Sequence, residues 1–297
     1  MQKENVKKDL TIVIPAYNEE KALALFLPEL TAFAKKNEYK IIIINDGSKD
    51  GTLQVLKQYE SDLTIVSHKV NKGYGAAIKS GISIADTRYV ITIDADGQHF
   101  LEDVGTLHKV IIEKDADMVV GSRAKLKSES FYRRLGKSII RSIAKMLVPI
   151  HIHDINSGMK IYDTELAKKY VKLCPDGMPY SDVIAIVFTN FRHRVLEHDI
   201  RIIGRIAGKS TIGTKTAIET IRQIFNIALM FNPLKIFLPI SFVLLLFSLI
   251  WGLPIIVQGG GVSGGTALLF ITSVLFFLMG IIAEQLSLIR KSSVHDE

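Results

Sequence analysis

Two uncharged stretches near the end of the chain constrain it more than any other feature. Residues 236–257 run for 22 positions and residues 266–283 for 18 without a charge, and the apolar character continues past Glu284 to Ile289. A helix needs about 20 apolar residues to cross the hydrocarbon core of a bilayer. Core helices of soluble proteins rarely run so long without a charge. Residues 234–291 are therefore expected to form a two-helix transmembrane anchor. The loop 258–265 between the helices holds no Lys or Arg, whereas Lys235 precedes the first helix and Arg290 and Lys291 follow the second. Cationic residues concentrate on the cytoplasmic side of such anchors. The expectation is an integral protein of the cell membrane or the ER membrane, with its large domain and C-terminus in the cytoplasm. Residues 1–10 show no apolar signal-peptide core, and the single Cys174 suits a reducing compartment.

Ahead of the anchor, short apolar runs alternate with helical spacing. Strands are expected over 10–15, 40–44, 63–67, 89–93 and 117–120, and helices over 19–36, 51–59, 75–85 and 101–113. Leu23, Phe26, Leu27, Leu30 and Phe33 mark one face of the first helix. Such alternation predicts an α/β domain with a mostly parallel sheet. Ligands of these sheets bind at the carboxyl ends of the strands. Polar clusters stand at four of those ends: Ala16-Tyr17-Asn18-Glu19, Asn45-Asp46-Gly47-Ser48, Asp94-Ala95-Asp96-Gly97-Gln98-His99 and Gly121-Ser122-Arg123. One cluster reads as a turn; four on one edge read as a site.

Asp94 and Asp96 are two carboxylates one residue apart. In an extended segment alternate side chains point the same way, and two facing carboxylates repel unless a cation sits between them. Oxygen ligands favour Mg2+ or Mn2+, with Gln98 on the same spacing as a third ligand. Such a metal bridges the diphosphate of a nucleotide. An Asp-rich turn is the plain alternative for this segment, and a turn with a helix N-cap for residues 48–52. Neither explains Asp46, an acid one residue beyond four isoleucines. A pI near 9.3 calls for an anionic partner.

Pro15-Ala16-Tyr17-Asn18-Glu19-Glu20, Asn45-Asp46-Gly47-Ser48-Lys49-Asp50-Gly51-Thr52 and Asp94-Ala95-Asp96-Gly97-Gln98-His99 together resemble three motifs of family 2 glycosyltransferases. Their order and spacing are most similar to the dolichol-phosphate mannose synthase and polyisoprenyl-phosphate glycosyltransferase branch. The resemblance covers roughly residues 10–235. It implies an inverting enzyme of GT-A fold that moves a sugar from GDP-mannose or a UDP-hexose to a dolichyl or undecaprenyl phosphate. It assigns the nucleotide-sugar to Pro15, Tyr17, Asn18, Glu19, Asp46, Lys72, Asp94, Arg205 and Lys209. It assigns the metal to Asp94, Asp96 and Gln98, and catalysis to Asp94, Asp96 and Arg123. Asn156-Ser157-Gly158-Met159-Lys160 matches a segment near sugar and acceptor, with Lys160 where many relatives have arginine. Arg123, Arg134 and Ser138 match contacts to the lipid phosphate.

Residues 122–145 hold eight Lys or Arg and one acid, Glu129. Arg134, Ser138, Arg141 and Lys145, three or four apart, and Phe131, Leu135, Ile139, Ile143 and Leu147, at about helical spacing, describe a basic amphipathic helix over about 131–148 that suits an anionic bilayer surface. A solvated helix with a charged outer face is the alternative. The expected organisation is a catalytic domain over 1–213, a juxtamembrane amphipathic helix over 214–233 and the anchor over 234–291. No stacking aromatics interleave with the basic stripe, which argues against nucleic acid. A prenyl phosphate is already anionic and needs little or no general base, so Asp182 reads as structural or acceptor-orienting. His151 and His153 read as a surface turn in preference to a metal pair. A transferase with another lipid or glycan acceptor, or an inactive membrane scaffold, are the competing readings, and a homo-oligomer is left open.

Overall fold

The structure, a computed structural model, describes residues 9–123, 152–201, 225 and 229–292. These fall into two compact units, one holding 9–123 and 152–201 and the other 225 and 229–292.

The first unit is built on a seven-stranded sheet of order β3-β2-β1-β4-β6-β5-β7. Its elements are β1 Leu10–Ala16, α1 Glu20–Asn37, β2 Lys40–Asn45, α2 Thr52–Lys57, β3 Thr64–Ser67, α3 Tyr74–Ile84, β4 Tyr89–Thr92, α4 Leu101–Glu113 and β5 Met118–Ser122. After the gap come β6 Lys160–Asp163, α5 Thr164–Tyr170, α6 Tyr180–Asn190 and β7 Val195–Asp199. β1, β2, β3 and β4 pair in parallel, as do β5 and β7, while β6 runs antiparallel between β4 and β5. The nine elements expected up to residue 120 are all present. Both faces of the sheet are covered, so β1 and β2 are buried along almost their whole length. Leu23, Phe26, Leu27 and Leu30 of α1 pack with Ile12, Ile14, Ile43 and Ile91 in the core.

Topology puts the site together. β1, β2, β4 and β5 all end on one edge, and antiparallel β6 begins there. Its leader, Ser157-Gly158-Met159, therefore enters the edge where the four polar clusters stand. Gly121 N–H donates to Met159 O at 2.9 Å, and Thr92 Oγ1 donates to Gly158 O at 2.9 Å.

Among the described residues the second unit holds two long helices, α7 Leu234–Val257 and α8 Gly264–Ser292. Both are long and apolar enough to cross a membrane, and only 17% of the most apolar window of each is buried. Phe242, Phe247, Ile250 and Phe270 instead face outward. A soluble core helix hides such groups, whereas a helix apolar all round suits lipid. Polar groups turn inward: Ser241 Oγ donates to Ser273 O at 2.9 Å and Ser273 Oγ donates to Ser241 O at 3.0 Å.

Candidate active site

At the end of β2, Asp46 is almost fully buried. Its Oδ1 accepts from Lys72 N at 2.9 Å, its Oδ2 accepts from Gly73 N at 2.8 Å, and His68 Nδ1 lies 2.6 Å from Oδ1. Ser80 Oγ lies 2.9 Å from His68 Nε2, so both ring nitrogens are engaged. The acid expected to meet a nucleoside directly thus shapes the loop after β3. Gly47, at φ +68, allows this approach, because a Cβ there would stand 2.4 Å from the carbonyl carbon of Val70.

The loop after β1 is laced to the one after β2. Asn18 N donates to Ser48 Oγ, Lys49 N donates to Asn18 Oδ1, and Glu19 N donates to Thr52 Oγ1. Asn18 adopts φ 55 to do so. Tyr17 remains 41% exposed at the rim, and Pro15 sits at the end of β1 opposite Ile44. Lys72 is exposed; its backbone, not its ammonium, holds Asp46.

After β4 the chain does not stay extended, as the alternation argument assumed. The strand stops at Thr92 and a turn follows over Ala95–Gly97, with Gly97 at φ 69. Asp96 Oδ1 accepts from Gln98 N at 3.2 Å, the side-chain turn an aspartate makes with its own backbone. Asp94 is held from several sides. Tyr74 OH donates to its Oδ1 at 3.0 Å, and His99 Nε2 lies 3.6 Å from its Oδ2. Gly158 lies against it so closely that a Cβ there would stand within 2.7 Å of both carboxylate oxygens and would displace them. About a third of the side chain (34%) stays open. Burial would raise its pKa, but His99, Tyr74 and the charge of Lys160 outweigh burial and hold it below the usual carboxylate range.

At the end of β5, Arg123 is committed to Asp154. Nε and Nη2 donate to the two carboxylate oxygens at 2.8 and 3.0 Å, the backbone N–H adds a third bond at 2.9 Å, and Nη2 also reaches Asn156 O at 3.1 Å. The two-pronged bond raises the guanidinium pKa. Glu197 of β7 accepts the N–H groups of His153 and Asp154 and so orients this turn. His153 is 77% exposed, in keeping with a surface turn. Lys160, at the start of β6, is buried and donates to Ser157 O. Burial lowers its pKa to about 8, against the pull of Asp182, Asp154 and Asp94. Burial raises Asp182 to about 6, with Lys160 opposing, and its Oδ1 finds no hydrogen-bond partner among the described residues.

Asp46, Asp94, Asp96, Gln98 and Arg123 therefore share the carboxyl edge of the sheet. Arg134, Ser138, Arg205, Lys209 and His151, the basic helix over 131–148, and most of 214–233 lie outside the described residues. His68, Tyr74, Asp154 and Glu197 were not anticipated. Tyr74 alone carried a signal, being an aromatic residue between two glycines just before an apolar helix. Among the described residues no three His, Cys, Asp or Glu side chains gather as a metal cluster.

The fold is GT-A. Glucosyl-3-phosphoglycerate synthase from Mycobacterium tuberculosis, solved with Mn2+, UDP-glucose and phosphoglyceric acid, superposes at a TM-score of 0.54 and 17% identity over 74% of this chain and 80% of that one. In sequence, the chain is 32% identical over 181 residues to a dolichyl-phosphate beta-glucosyltransferase of Dictyostelium discoideum, covering 54% of this chain and 55% of that protein. It is 28% identical over 212 residues to an undecaprenyl-phosphate 4-deoxy-4-formamido-L-arabinose transferase of Aeromonas hydrophila, covering 69% and 63%. The chain thus spans roughly half to two thirds of these relatives' length. Residues 232–289 match the GtrB C-terminal hairpin, which coincides with α7 and most of α8. The model of glycosyl transferase family 2 matches residues 11–171, more than half of the chain and nearly every strand of the sheet, and the chain belongs to that family.

Proposed function

We propose that this protein transfers a hexosyl group from a nucleoside diphosphate sugar to a polyprenyl phosphate at a membrane surface, with inversion at the anomeric carbon. One observation carries the reading: an Asp94 carboxylate engaged by Tyr74 and His99 but left one-third open, on the carboxyl edge of a sheet whose chain also bears two bilayer-length helices. The names of the two transferases, which both specify a polyprenyl phosphate, support the acceptor.

The donor lies along the carboxyl edge, its nucleoside towards Tyr17, Lys72 and the loop that Asp46 shapes, its diphosphate towards Asp94 and Asp96. A divalent ion fits that end. Mg2+ and Mn2+ take one or two carboxylates and complete their shell with phosphate oxygens and water, so Asp94 and Asp96 suffice without a third protein ligand. Asp94 keeps an open face for it. Bound there, the ion supplies Lewis-acid stabilisation of the diphosphate, as the Mn2+ in the mycobacterial structure also suggests. Arg123, fixed by Asp154, and buried Lys160 add positive charge at the same edge. The acceptor phosphate is anionic at neutral pH. Its oxygen forms the new bond to the anomeric carbon while the bond to the diphosphate breaks and the electron pair leaves with the nucleotide. The chain's own task is alignment and charge compensation. The cations at Lys235, Arg290 and Lys291 support a cytoplasmic side for this chemistry.

The test is transfer of label from a panel of UDP- and GDP-sugars to a short polyprenyl phosphate by the detergent-purified protein with Mn2+ or Mg2+. Transfer from one donor, abolished by EDTA and reduced at least about a hundred-fold in Asp94→Asn, is expected. Folded protein that transfers from no donor overturns the reading.

A further inference from the structure

Three consecutive residues join the two acidic ends of the site. Lys72 and Gly73 give both their N–H groups to the Asp46 carboxylate, and the next residue, Tyr74, gives its hydroxyl to Asp94. The segment has no slack. Gly73 adopts φ +104, and a Cβ there would stand 2.6 Å from Asp176 O. A Cβ on Gly75 would stand 2.3 Å from Pro175 O. Ala76 N donates to Asp176 O at 3.0 Å, and Lys79 Nζ, one turn on, donates to Asp176 Oδ1 at 2.7 Å and to Cys174 O. The segment is thus clamped along α3 by the loop that precedes α6, and at its start by Asp46.

We infer that Lys72-Gly73-Tyr74 is a strap that sets the geometry of the diphosphate end, with Tyr74 a positioning residue acting through Asp94. The inference rests on the donor reading above. A carboxylate rotates freely unless its oxygens are engaged. Gly158 and His99 limit Asp94 from the Oδ2 side, and Tyr74 pins Oδ1. Groups that orient a metal-binding carboxylate are typically worth about 10- to 100-fold in metal affinity. The strap also makes the two ends interdependent, since a shift of the loop at Asp46 moves Tyr74 with it.

Calorimetric binding of UDP and of GDP to the full-length protein in detergent, over a series of Mn2+ concentrations, tests this. Tyr74→Phe keeps the ring and removes only the hydroxyl. The Mn2+ concentration for half-maximal nucleotide binding is expected to rise at least about ten-fold, with the thermal midpoint unchanged. Lys79→Met, which loosens the clamp without touching Asp94, is expected to shift it in the same direction and is decisive if Tyr74→Phe fails to fold. Wild-type Mn2+ dependence in whichever of these variants folds overturns the strap while leaving the donor reading intact. A wild-type protein that binds neither nucleotide with Mn2+ overturns both.

Discussion

Lys160 and Asp182 are pushed by burial in opposite directions, the ammonium down to about 8 and the carboxyl up to about 6, each partly restrained by the other's charge. Between those values the site holds both charges; outside them it loses one. Transfer is expected to follow a bell with limbs near 6 and 8 that belong to the pair jointly. Lys160→Met removes the cation that lowers Asp182, so the acid limb should move to higher pH, read from the pH dependence of turnover at saturating metal. An unmoved limb would assign it to another group. Linkage gives the stability sign. Asp182 binds its proton more tightly folded than unfolded, so its stabilisation declines as pH rises from about 4 through about 6. At this scale the sequence pointed to Asp46, Asp94 and Asp96 as candidates, because acids just past the end of a buried apolar strand have no packing reason to be there. It hid the role of His68, whose ring nitrogens meet Asp46 and Ser80, 22 and 12 residues away, and that of Tyr74, whose hydroxyl meets Asp94, 20 residues away. Asp154 was hidden likewise, since its partner Arg123 is 31 residues distant.

Element by element, the parallel half of the sheet was legible because each strand there is an apolar run followed by a helix with its own periodicity. β6 was not. Its four residues begin with a lysine and end with an aspartate, a pattern that resembles a loop. Only the pairing of Ile161 with both Ile91 and Val119 makes it a central strand, and that pairing is long-range. The hairpin helices were plain from length alone, but their contact was not. Gly280 faces Phe237 so closely that a Cβ would stand 2.8 Å from the Phe237 Cβ, whereas a Cβ on Gly264 meets nothing within 4 Å. Small residues are what let apolar helices approach in lipid. Gly280→Leu is therefore expected to destabilise the hairpin by about 1–3 kcal/mol and to lower the thermal midpoint in detergent, with Gly264→Ala close to wild type. Equal midpoints for the two variants would show that the close approach contributes nothing.

For the whole molecule, the open question that charge can address is which side of the membrane each end occupies. The sequence carries 37 Lys and Arg against 30 acids, yet none of the cations falls between α7 and α8. Donor nucleotides and the proposed catalytic unit require the same compartment, and the cations at Lys235, Arg290 and Lys291 favour the cytoplasm for it. The lone Cys174 makes the orientation measurable. Its thiol is buried and its pKa is raised by that burial, so background alkylation is low. Val262, 69% exposed between the helices, and Ser292, exposed at the far end of α8, mark the two sides. In intact cells a membrane-impermeant maleimide is expected to label Val262→Cys and to reach Ser292→Cys only after lysis. The reverse pattern would put the sugar-transfer site on the side away from its nucleotide donors, and the proposed chemistry could not stand with it.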